Sequence, residues 1–382
     1  MFLKGALRLL TSLKLTVVCL GLGIILVFIG TLAQVNMGIY AAQEKYFDAL
    51  FVYWQSADGQ WKIPIFPGGY LIGGILFINL VSAHAYRFRW GWKKSGIFLT
   101  HMGVLLLLGG GFLTSLLSVE SQMTIDEGMS KNYSENLRSI ELAIVDTSAP
   151  DYDKVVAIPE HILARKGTIQ HPHLPFRLDI HQFYPNSKFI PQQNQESSNG
   201  LLATKGAGVN VTVTELPRVT QPNQGDTTSA VVEIITPENS LGIWLVTNIL
   251  KEPQTFSYQN KNWAIEIRQE RYYKPYSIHL KDFAHDKYEG TDIPKNFSSS
   301  IRLINPSRNE DRDALIYMNH PLRYDGETYY QASFANNDRT SILQVVRNPS
   351  WLTPYFACSL VALGLIVQFS IHLTSFIKQQ RI

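Results

Sequence analysis

Four stretches of this 382-residue chain carry no charged side chain over more than twenty consecutive positions: 15–43, 63–86, 95–119 and 348–377. A helix needs about 20 apolar residues to cross about 30 Å of hydrocarbon, so each stretch is long enough to span a membrane. We expect transmembrane helices at roughly 13–34, 69–87, 96–118 and 352–376. The first apolar run exceeds the usual length of a leader's core and no A-x-A-like site follows it, which reads as a span and not a cleaved signal peptide. The charged fraction of 17% is low because these windows dilute it.

Basic residues flank the windows on one side. Lys4, Arg8 and Lys14 precede the first; Arg87, Arg89, Lys93 and Lys94 join the second to the third; Lys378 and Arg381 follow the last. None of these segments holds an acid, whereas 28 of the 31 acidic residues lie between 119 and 350, beside 23 Lys and Arg. By the positive-inside rule both termini are cytoplasmic and the long segment stands on the opposite side. The chain divides accordingly into 1–34 (tail and first helix), 35–68 (an outer interfacial segment), 69–118 (helices two and three), 119–350 (an outer domain) and 351–382 (fourth helix and tail). Met37 to Trp54 reads equally as an amphipathic interfacial helix or as an ordered loop. A net charge of +3 without a concentrated basic face argues against nucleic acid, and Cys19 and Cys358 are too isolated for a Cys-x-x-Cys motif.

The outer segment alternates β-branched and aromatic runs with Asn, Asp, Gly and Pro punctuation. Strands are expected at 139–145, 176–183, 209–216, 230–235, 243–246, 263–270, 276–282, 299–304, 314–318, 328–334 and 342–347, with a tight hairpin at Asp325-Gly326. The polar stretches 186–208 and 217–228 read as loops. The fold class is α+β: four transmembrane helices carrying a large β-rich extracytoplasmic domain, a sandwich or a partly open barrel.

No nucleophile elbow, zinc-protease helix or phosphate loop is present. His171-Pro-His173 with His181 is the nearest approach to a metal cluster, and exposed loop histidines explain it more simply. His279 and His285 have no evident reason to be ligands. Ionisable groups inside apolar helices mark functional sites by default, and here they are His84, His101 and His372. His101 lies about 9 Å inside its helix, too deep for easy snorkelling. Gly96, Gly103 and Gly110 form a small-residue stripe on nearly the opposite face, which leaves His101 free for another contact. Neutral imidazole is a usual axial ligand of haem iron, and a single deep histidine implies a second ligand from a partner.

The basic start with Ser12-Leu-Lys-Leu, the segment Gly96-Ile-Phe-Leu-Thr-His101-Met-Gly, and the outer stretches 280–299 and 319–334 together resemble the ResB/CcsB family of cytochrome c biogenesis (System II) proteins. The resemblance implies a complex with a ResC/CcsA-type membrane protein that moves non-covalently bound haem b across the membrane for attachment to apocytochrome c. It implies an inner (plasma) membrane location, a haem-iron ligand at His101, and thiol reduction by thioredoxin-like proteins; His84 is a further haem-binding candidate from its own place near the helix end, where an interfacial role competes for it and for His372. It also implies a non-catalytic or co-catalytic subunit. Two other classes compete. A di-haem electron carrier would need two spaced histidines per helix, which are missing; a haem-free scaffold recruiting a partner through its β domain would not.

Overall fold

The computed structural model describes residues 2–56, 61–86, 88, 91–191, 203–219, 225–290, 294–336 and 339–380. Arg87, Arg89, Arg381 and parts of the two expected polar loops lie outside the described residues. The chain separates into two compact units, one of residues 1–118 and 348–382, the other of most of 119–347.

The first unit opens with α1 (Phe2–Leu10), which breaks at Thr11. The Ser12 side chain accepts from the Lys14 amide and starts α2 (Leu13–Met37). The next segment is neither a continuous amphipathic helix nor a loop. A short α3 (Ile39–Ala42) and a π-turn give way to a hairpin of β1 (Phe51–Gln55) and β2 (Lys62–Pro67). Then follow α4 (Gly69–Tyr86) and α5 (Ser95–Leu117).

Asn79, buried in the middle of α4, explains how α1, α2 and α4 hold register. Its amide donates to the carbonyls of Leu10 (2.6 Å) and Ser12 (3.2 Å), and its Oδ1 accepts from Thr16 Oγ1 (2.6 Å). The carbonyls left open at the α1–α2 break are thereby satisfied, as an apolar surround requires. Asn79→Leu should cost about 1 kcal/mol. A double-mutant cycle with Thr16→Val, read by thermal unfolding in detergent, should return a positive coupling.

The second unit is β throughout. Its strands are β3 (Val119–Asp126), β4 (Ser130–Asp146), β5 (Lys154–Pro159), β6 (Gly167–Ile169), β7 (Arg177–Tyr184), β8 (Ser187–Pro191), β9 (Val211–Glu215), β10 (Ser229–Ile235), β11 (Ser240–Thr247), β12 (Gln254–Tyr258), β13 (Lys261–Lys287), β14 (Pro294–Asn305), β15 (Glu310–Tyr317), β16 (Leu322–Tyr324), β17 (Glu327–Ala335) and β18 (Thr340–Arg347). One helical turn, α6 (Glu160–Leu163), interrupts them. Ten strands make one sheet in the order β15-β14-β13-β4-β3-β18-β17-β16, with β12 on β13 and β5 on β4. A four-stranded sheet runs β11-β10-β7-β6.

Both β architectures anticipated from the sequence are present, because one long strand, β13, serves two cores. The first half of β13 (Trp263, Ile265, Ile267) and the end of β4 (Leu142, Ile144) pack on Leu178, Ile180, Val232 and Ile234 of the smaller sheet, a sandwich. The second half of β13 (Tyr276, Ile278, Leu280) joins β3 and β14–β18 around Met123, Leu303, Tyr329 and Leu343, inside a nearly closed, barrel-like sheet. Between the halves the β13–β4 register shifts twice, after Gln269 and after Tyr273. Pro275, which has no amide to donate, falls in the second irregularity. That interruption reads as a gap between two strands at 263–270 and 276–282, but the chain runs through as one. The Asp325-Gly326 hairpin is present, with φ of 51° and 79° suiting a two-residue turn of mirror-image type.

At the far end of the sandwich, buried Asp146 accepts from Lys261 Nζ (2.6 Å) and from the Ser148 amide (3.2 Å). Those bonds hold its carboxyl down to about 2. A native pKa below the unfolded value of about 3.9 contributes stability above that pH, lost as pH falls toward 2. Asp146→Asn should therefore flatten the stability profile between about pH 4 and pH 2, as measured by denaturant unfolding followed by tryptophan fluorescence.

The chain returns to the first unit as α7 (Thr353–Gln380), which packs along α5. Helices over Leu13–Met37, Gly69–Tyr86, Trp92–Leu117 and Thr353–Gln380 are long and apolar enough to cross a membrane. The glycine stripe of α5 is what α7 meets: Gly96, Gly103 and Gly110 are buried against Gly364, Gln368, Ala357, Val361 and Thr353.

Candidate functional site

With the glycine stripe turned to α7, the other side of α5 turns to α4, and there His101 meets His84. Their ring centroids are 4.8 Å apart at 51°. Phe88 stacks on His84 at 5.3 Å, and Phe98 closes against both His84 (6.4 Å) and Phe88 (5.6 Å). Two imidazoles and two phenyl rings thus gather where α4 ends and α5 begins. The two candidate haem-binding histidines, His101 and His84, are thus neighbours.

Each imidazole is held the same way. His84 Nδ1 lies 3.0 Å from the Leu80 carbonyl and His101 Nδ1 2.8 Å from that of Ile97, each one turn earlier on its own helix. A carbonyl only accepts, so Nδ1 carries a proton in both rings, and in the neutral ring Nε2 is the atom left to accept or to ligate. His84 Nε2 is enclosed and has no hydrogen-bond partner among the described residues. An unpartnered nitrogen lone pair in an apolar setting is costly for packing alone and suited to a ligand. With metal–nitrogen bonds of about 2 Å, a haem between two axial imidazoles holds their centroids roughly 6 Å apart. The observed 4.8 Å leaves no room for a porphyrin between these two.

The remaining histidines separate. Exposed His372 on α7 bonds to Gln368, one turn earlier (2.9 Å). His171 and His173 sit together on the β unit, where the His173 amide donates to His171 Nδ1 at 3.3 Å. His181 is not with them but on β7, 2.9 Å from Glu233 of β10. His279 bonds to Ser130 (3.1 Å), and His285 packs on Phe334 at 4.3 Å. Sequence reasoning missed the acidic partner of His181, because Glu233 lies 52 residues away and only strand pairing brings it near.

Comparison with known proteins adds a family. Residues 247–346 match the ResB-like family. Over 92 residues the chain is 30% identical to Protein NrfI of Wolinella succinogenes, a match that takes in 24% of this chain and 10% of that protein's length. Both outer stretches that carried the resemblance, 280–299 and 319–334, fall inside the matched segment. The similarity to the ResB-like family thus covers residues 247–346, from the end of β11 to β18.

Proposed function

We propose that the chain works in cytochrome c biogenesis, as the membrane subunit that, with a ResC/CcsA-type partner, carries haem b across the membrane and presents it for attachment to apocytochrome c. The observation that carries this reading is the His84–His101 pair, two imidazoles at 4.8 Å with both Nδ1 protons committed to backbone carbonyls. In this reading His101 offers Nε2 to the haem iron, and its bond to Ile97 fixes the ring and raises its basicity. The second axial position goes to the partner, because His84 stands too close to lie across a porphyrin. His84, Phe88 and Phe98 supply ring surface beside the iron ligand. The basic segments support a reading with both termini in the cytoplasm and the β unit outside an inner membrane, where apocytochrome and its thioredoxin-like reductants would meet it.

His101→Ala in the co-expressed complex should lower purified haem content and cytochrome c yield by about tenfold or more, the scale of losing a metal ligand or its support. His84→Ala should lower them less. Exogenous imidazole should restore haem to His101→Gly. Unchanged haem occupancy in His101→Ala would reject the ligand assignment and favour a haem-free scaffold.

A further inference from the structure

On the solvent side of the smaller sheet, three side chains of metal-binding type converge. Asp179 of β7 and Glu233 of β10 are directly opposite in the antiparallel register, and His181 follows Asp179 on the same strand. The donor atoms of all three lie within 4.8 Å of one another, and among the described residues theirs is the one such group found. His181 joins them because of a bulge. Val232 pairs with Ile180 and Val231 with Gln182, so His181 is the extra residue between two paired positions. A bulge re-aims a side chain, and strands keep such irregularities most often where a site needs them.

Two acids meet here, and His181 and Arg177 offset part of their repulsion at Glu233. Two carboxylates directly across a strand pair repel each other, and Leu178, Ile180, Val232 and Ile234 in the core hold the register that imposes it. Each carboxylate is also braced from outside the trio. Ser240 Oγ donates to Glu233 Oε1 at 2.6 Å, and Thr168 Oγ1 stands 3.5 Å from Asp179 Oδ1. These bonds orient one oxygen of each acid and leave the other for a shared cation. His181 and Glu233 are half-buried, their side chains 27% and 22% exposed, so an ion could enter from solvent.

We infer that Asp179, His181 and Glu233 form a binding site for a divalent transition-metal ion, with three protein ligands and one position left to water. One imidazole and two carboxylates suit Zn²⁺ and its first-row neighbours and not Mg²⁺, which prefers oxygen ligands alone. Tetrahedral bonds of about 2 Å place ligand atoms roughly 3.3 Å apart, so small side-chain rotations bring the trio onto an ion. The proton now shared between His181 Nε2 and Glu233 moves to Nδ1 or to solvent when Nε2 becomes a ligand. This site is separate from the helix-borne histidines, and neither reading depends on the other.

The test uses the full chain, purified in detergent and stripped with chelator. Calorimetric titration with ZnCl₂ should give a saturable one-to-one isotherm, MgCl₂ should give none, and Co²⁺ should develop visible ligand-field bands. Asp179→Asn, His181→Ala and Glu233→Gln should each weaken zinc binding by at least about tenfold. His171→Ala/His173→Ala should leave it unchanged. Zinc should raise the melting temperature of the native protein but not of His181→Ala, whose metal-free melting temperature reports its folding. A non-saturating native isotherm, or zinc affinity that survives in His181→Ala and Asp179→Asn, would overturn the assignment.

Discussion

Replacing Glu327 by alanine should destabilise the β unit by about 3–5 kcal/mol, the scale for removing one partner of a buried ion pair. For a unit of this size that is a fall of on the order of 10 °C in melting temperature. Glu327 begins β17 and its carboxylate accepts three ways, from Lys274 Nζ (2.5 Å), from Tyr276 OH (3.0 Å) and from Tyr329 OH (2.9 Å), while the two phenols also bond to each other at 2.7 Å. The fourth tie is its backbone, paired with both β16 and β18. Tyr329 is wholly buried and the Lys274 side chain is 6% exposed. Burial first, and then the neighbouring carboxylate, push both phenols far above the usual tyrosine range, so they remain neutral donors. Without Glu327 the nearly buried Lys274 ammonium loses its one ion-pair partner among the described residues. Glu327→Gln/Lys274→Met removes both charges and should recover most of the loss. If the single alanine variant melts within about 2 °C of the native protein, the network is not a stability determinant.

Gly103→Ala and Gly111→Ala, the same change on the same helix, should move stability in opposite directions. A Cβ on Gly103 would stand 2.6 Å from Val361 Cγ2 and 2.7 Å from the Ala357 carbonyl oxygen, so α5 or α7 must shift. Overpacking of this kind costs about 1–3 kcal/mol. Around Gly111 a Cβ would meet nothing within 4 Å, and there alanine gains about 0.5–1 kcal/mol from lost backbone freedom in the unfolded chain. Melting curves of the two variants in one detergent decide it. Because His101 shares α5 with Gly103, the destabilising variant should also lower haem content if the proposed ligand is correct.

The apolar helices were legible because a missing charge is a local, one-dimensional signal; the helix bounds read from the charge gaps differ from those observed by only a few residues. The glycine stripe of α5 was legible for the same reason, since its seven-residue recurrence fixes a face. What the stripe meets was not, because nothing in 95–117 encodes the neighbouring helix. The pairing of His84 with His101 fails to read for that reason: each histidine was visible, but their 4.8 Å separation depends on how α4 and α5 lie together. In the β unit, β3 is hard to read although Met123 and Ile125 alternate inward, because Glu120, Gln122 and Asp126 make the run look polar. The β1–β2 hairpin was hidden by Pro64 and Pro67, which usually argue against a strand. Pro275 had the reverse effect and split one strand into two. The acidic partners of His181 could be found only from sheet register.

The shared strands set a limit on how this protein can be divided. The ResB-like segment, residues 247–346, contains β12 to β18 but neither β3 nor β4. Yet β18 pairs along its full length with β3, and β13 pairs with β4 on one side and β14 on the other. Cut out alone, the segment would present two raw sheet edges and would lose Met123 and Ile125 from its interior. The region most recognisable by descent is thus not an autonomous folding unit. Its missing wall is made by the residues that leave α5, so during synthesis β3 and β4 must wait for strands more than a hundred residues later before the barrel can close.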